Sequence, residues 1–77
     1  MKICRINTLS RMSGKWENWY DYKTPAEAEI AAIGLIQGGA AAECHILEVR
    51  DDGGKIIAVV ISKPALGFPH GKAVVKQ

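Results

Sequence analysis

The 77-residue chain is predicted to form one α+β domain of order β-β-α-β-β, a four-stranded, mostly antiparallel sheet with one helix packed on one face. Three observations predict it. Runs rich in β-branched and aromatic residues flank a single strong helix start, glycine-rich turns separate those runs at hairpin spacing, and the length suits one core and no second. Residues 1–63 are assigned to the domain. Residues 64–77 are expected to form a C-terminal tail, mostly mobile, with room for a short edge strand at Lys72 to Lys76.

The elements follow in order. Lys2 to Leu9 reads as a first strand, and Ser10 to Gly14 as a turn. Lys15 to Lys23 alternates Trp16, Asn18, Tyr20 and Tyr22 on one face with Glu17, Trp19, Asp21 and Lys23 on the other, the period of a second strand paired as a hairpin. In Thr24-Pro25-Ala26-Glu27 the threonine hydroxyl can accept from an exposed amide, proline suits the first turn and glutamate completes a capping box, so a helix should run to about Gln37. Gly38-Gly39 ends it. On a helical wheel Ala26, Ile30, Ile33 and Ile36 share a broad face, with Ala31 and Leu35 pointing away. That surplus face could be covered by loops or by a second subunit. Cys44 to Arg50 and Lys55 to Ser62 flank the turn Asp51-Asp52-Gly53-Gly54 as strands three and four. Strand four, Ile56 to Ile61, does not alternate and should lie inside the sheet or be covered on both faces. Pro64, Gly67, Pro69 and Gly71 then interrupt any period.

Charge is unevenly distributed. Met1 to Lys15 and Gly53 to Gln77 each carry four basic residues and no acidic one, whereas Trp16 to Asp52 holds all eight carboxylates against Lys23 and Arg50. Folding either presents one basic and one acidic surface or interleaves the signs. Cys4 and Cys44 lack the dense pairing of secreted disulfide scaffolds and read as reduced thiols, which places the chain in a cytoplasm. Lys2, Arg5 and Asn7 break the apolar run a secretory signal needs, and the six-residue stretch Ile56 to Ile61 falls far below the roughly 20 of a membrane span.

Reactive constellations are weak. Cys4, Cys44, His45 and His70 could in principle ligate zinc, but Cys44 and His45 are adjacent on a strand and diverge to opposite faces. The same divergence defeats a Cys44–His45 nucleophile pair, leaving only His45 with Cys4 across strands. The acidic pairs Glu27/Glu29 and Asp51/Asp52 occupy a helix start and a turn, where carboxylates are structurally favoured. No glycine-rich loop follows a strand and opens a helix, as phosphate binding requires. The expectation is a non-enzymatic chain with no cofactor and no metal.

The aromatic cluster carries the functional reading. Trp16, Trp19, Tyr20 and Tyr22 are four of the five aromatic residues and fall within seven positions. Such rings either fill a small core or anchor an interface. The candidate partner-binding residues are these four with Glu17, Asp21, Arg5, Arg11 and Lys15. With Lys2, Arg5, Arg11 and Lys15 close by, rings and cations could also serve a direct RNA or single-stranded nucleic-acid binder, although Glu17 and Asp21 oppose phosphates. A structural homodimer sealed around Leu35 is the third option.

The aromatic second strand ending at Thr24-Pro25-Ala26-Glu27-Ala28, together with the hairpin from Ile46 through Asp51-Asp52-Gly53-Gly54 to Ala58, resembles the plan of small phage and mobile-element proteins, among them anti-CRISPR proteins that block type I CRISPR-Cas effectors. The resemblance covers roughly residues 2–62. It implies an inhibitor docking on a bacterial nucleoprotein complex, at a surface where nucleic acid or another subunit would bind.

Overall fold

The computed structural model describes residues 3–77. Its elements are β1 (Ile3–Ser10), β2 (Trp16–Tyr22), α1 (Pro25–Gln37), β3 (Ala41–Arg50), β4 (Gly53–Ala65) and β5 (Phe68–Lys76). The strands form one sheet of order β2-β1-β3-β4-β5, and every neighbouring pair is antiparallel. The α+β class and the helix on one face agree with the sequence reading. The sheet has five strands, not four. Lys2, expected in the first strand, lies outside the described residues.

The fifth strand exists because the prolines fall where no ladder bond is lost. Pairing of β4 with β3 ends at Ile61, so Pro64 sits in a stretch of β4 that pairs only with β5, and Pro69 lies in the outermost strand. Beyond the Leu66-Gly67 turn the chain therefore returns in register, from Ala65 opposite Phe68 to Val59 opposite Lys76. Gly71 absorbs the irregularity between those ends with φ +88°, and a Cβ there would fall onto the Ser62 hydroxyl and press on the Lys63 carbonyl oxygen at 3.0 Å. The tail expected to be mostly mobile, with a short edge strand at Lys72 to Lys76, is thus an edge strand that begins earlier, at Phe68.

The helix begins as its cap dictates: the Thr24 Oγ1 accepts from the Glu27 amide at 3.2 Å, and Pro25 occupies the first turn. At its other end Gly39, at φ +83°, donates to the Ile36 carbonyl, and Ala40 donates to that of Leu35. The buried helix face is Ala28, Ala32 and Ile36, one residue every four. This corrects the expected face, for Ile30 is 72% exposed and Leu35 is half-buried against the core. Alanines win because a small side chain lets the helix approach the sheet closely. Opposite them lie Cys4 and Ile6 of β1, Cys44 and Ile46 of β3, and Ala58 and Val60 of β4. As expected of its unbroken apolar run, β4 is an interior strand.

The second strand departs from its expected alternation. Arg5 faces Asp21 and Asn7 faces Asn18, so Ile6 alone opposes both Trp19 and Tyr20, a β-bulge in β2. Tyr22 therefore reaches the helix-covered core, whereas Trp16, on the other side of the bulge, lies on the uncovered face, its ring centroid 4.4 Å from that of His45. Adjacent Cys44 and His45 do point to opposite faces, the thiol into the core and the imidazole away from it.

Candidate partner-binding surface

The position of α1 decides what β2 exposes. The helix lies over β5, β3 and β4 and touches β2 least, so the border strand has no roof. Trp19 is consequently exposed by almost half and Tyr20 by 64%, while Trp16, on the opposite face of the sheet, is also exposed by almost half. Trp19 and Tyr20, the two residues of the bulge, hold their rings edge to face with centroids 5.3 Å apart and an interplanar angle of 84°, the arrangement their quadrupoles favour. Tyr22 is half-buried and belongs to the core.

A mainly apolar groove of about 240 Å³ runs beside Trp19, between the end of β1 and the C-terminal turn of α1. Thr8, Met12, Glu17, Trp19, Leu35 and Ala41 line it. Sequence reasoning did not find this recess, because it joins residues far apart in the chain. The surplus helix face at Leu35 was the only hint in the sequence, and Met12, fully exposed at the rim, gave none.

The charged candidates separate into different roles. Arg5 Nε and Nη2 donate to the two carboxylate oxygens of Asp21 at 2.8 and 3.1 Å, a fork that joins β1 to β2 and holds Asp21 below the usual carboxylate range. Arg11 is occupied internally: its Nε donates to the Ala41 carbonyl at 3.3 Å and its Nη2 to that of His70 at 3.2 Å, tying the β1–β2 turn to β3 and β5. Glu17 accepts from the Ser13 hydroxyl at 3.5 Å, at the groove. Lys15 is exposed in the turn. The structure therefore gathers Glu17, Trp19 and Tyr20 along the border, leaves Trp16 and the Arg5–Asp21 fork apart from the groove, and gives Arg11 a scaffolding role.

Elsewhere, His45 Nε2 lies 2.6 Å from a Glu43 carboxylate oxygen beneath the Trp16 ring. Cys4, on the helix-covered face, is on the opposite side of the sheet from His45, so the cross-strand pair does not form. Burial and the neighbouring Glu43 charge push the Cys44 thiol up to about 11. Among the described residues no three His, Cys, Asp or Glu side chains converge as a cation would need. No helix among them is long and apolar enough to cross a membrane. Comparison with protein-family models, curated proteins and solved structures returns no significant match.

Proposed function

We propose that this chain is a non-catalytic protein-binding module that grips its partner with the β2 border, Trp19 and Tyr20 serving as anchors. The observation that carries the reading is the pair of large, mutually braced rings left exposed on a strand that the helix does not cover. Rigid aromatic side chains offer large contact area at small entropic cost, which is why they dominate interface energetics. The groove beside Trp19 offers a recess for an apolar partner side chain, and Glu17 supplies a polar rim. Glu17 repels phosphates at the groove and Arg5 is already taken by Asp21, so a protein surface suits the border better than a nucleic-acid backbone.

The resemblance of the aromatic strand and the glycine hairpin to phage and mobile-element proteins supports the finer reading. In it the chain is an inhibitor that docks on a bacterial nucleoprotein complex, such as a CRISPR-Cas effector, and masks a surface that nucleic acid or a subunit would use. The test is titration of a purified type I effector complex with the chain, reading both complex formation and target-DNA binding. A stoichiometric complex is expected, with Trp19→Ala and Tyr20→Ala each weakening it about ten- to hundredfold. Equal affinity in both variants would remove the proposed anchors. Binding to oligonucleotides alone, falling steeply with salt, would instead favour a nucleic-acid partner.

A further inference from the structure

At about 240 Å³ the groove beside Trp19 falls below the roughly 300–1,000 Å³ of a small-molecule site and has the scale of a single long side chain. Its walls are mainly apolar, with Met12, Trp19, Leu35 and Ala41 among them. Charge then decides which side chain it suits. Glu17 is the only charged residue that lines it. No basic side chain among the described residues pairs with that carboxylate, which accepts only from the Ser13 hydroxyl at 3.5 Å.

Other features of the groove carry the same sign. Leu35, Gly39 and Ala40 bring the C-terminal end of α1 to it, where the aligned peptide dipoles leave partial negative charge, and no basic residue in the last turn offsets that charge. Gln37, the polar side chain of that turn, is turned toward the other border of the sheet, where its Oε1 accepts from the outward amide of Ala73 in β5 at 3.2 Å. Thr8, only 4% exposed, donates its hydroxyl proton to the Glu17 carbonyl at 3.3 Å, so its oxygen is left to the groove as an acceptor. Nearby cations stay out. Arg11 is engaged with the Ala41 and His70 carbonyls, and neither it, Lys15 nor His70 lines the groove.

We infer that the groove receives an arginine side chain of the protein partner, an inference that rests on the border reading above and narrows it. The apolar walls take the aliphatic stem, the guanidinium lies against the Trp19 ring, and its N–H groups donate to the Glu17 carboxylate. Arginine fits better than lysine because its planar, weakly hydrated head stacks on a ring and donates in the ring plane at the same time. A leucine or methionine would strip water from Glu17 and give it no partner in return, and an acidic side chain would be repelled.

The experiment is an NMR titration of amide shifts on the full chain at fixed ionic strength, with Nα-acetyl-arginine amide as the probe and its uncharged isostere Nα-acetyl-citrulline amide as the control. Saturable shifts at Thr8, Trp19 and Ala40 are expected, in the millimolar range of a single side chain. The arginine probe should bind about tenfold more tightly than citrulline, and Glu17→Gln should weaken arginine by about two- to fivefold while leaving citrulline unchanged. Glu17 is exposed, so its substitution should leave the circular dichroism spectrum as it is. Equal affinity for the two probes would overturn the inference, as would the absence of saturable shifts up to about 100 mM arginine probe. The outcomes also separate it from the border reading. Effector binding that Trp19→Ala weakens, without any preference for arginine over citrulline, keeps the border and removes this occupant. A Glu17-dependent preference for arginine, without effector binding, keeps the occupant and removes the effector.

Discussion

Cys44 shows how a single side chain couples packing to pH. Its thiol is fully buried beside Glu43, and both burial and that negative charge disfavour the thiolate, raising the folded value from about 9 toward 11. Between those values the unfolded chain has lost the proton and the folded chain has kept it, so stability is intact below pH 9 and falls as pH rises toward 11. The slope should approach 1.4 kcal/mol per pH unit, visible as a shift in urea midpoint that Cys44→Ala lacks. Ile46 provides the complementary packing case. It is wholly buried between Ile6 and Ala58, so Ile46→Ala should cost about 2–5 kcal/mol by denaturant titration. The divergence of Cys44 and His45 was legible from strand period alone. The exposure of Trp19 and Tyr20 was not, because ring identity does not reveal which strand lies at a border.

At the scale of elements, punctuation in the sequence was read correctly at α1 and too strictly after β4. Thr24, Pro25 and Gly39 act only through neighbours in the chain, so the helix ends were legible. Pro64, Pro69 and Gly71 looked like breakers, yet a proline breaks a strand only where its missing amide is needed, and that depends on pairing partners the sequence does not display. Gly71 is the position on which β5 turns. Gly71→Ala combines an unfavourable positive φ with contact against Ser62 and Lys63 and should lower stability by about 1–3 kcal/mol, measurable as a loss in thermal midpoint. The bulge in β2 escaped notice for a similar reason. Strict alternation put Trp16, Tyr20 and Tyr22 together, whereas one extra residue opposite Ile6 sends Tyr22 to the core and leaves Trp16 on the other face.

For the whole molecule, element order and class followed from local pattern, while strand order did not. The arrangement β2-β1-β3-β4-β5 sets basic β1 between the acidic segments that form β2 and β3, so the signs interleave on that side, whereas β4 and β5 keep Lys55, Lys63, Lys72 and Lys76 as a basic flank. Of the two outcomes left open by the sequence, interleaving thus holds on the β2 side and a single-sign flank on the β5 side. The candidate site was legible as composition, a dense run of rings, but not as geometry, since the groove and the uncovered face arise from contacts between distant segments. The side-chain amide that α1 lends to β5 has a further consequence. A chain this rich in valine and isoleucine is chemically suited to stacking into cross-β fibrils, which grow by recruiting one unprotected backbone after another. With one border kinked and an outward N–H of the other already claimed by Gln37, the native protein offers such growth a poor template, and loosening that glutamine would remove the safeguard without touching the interior.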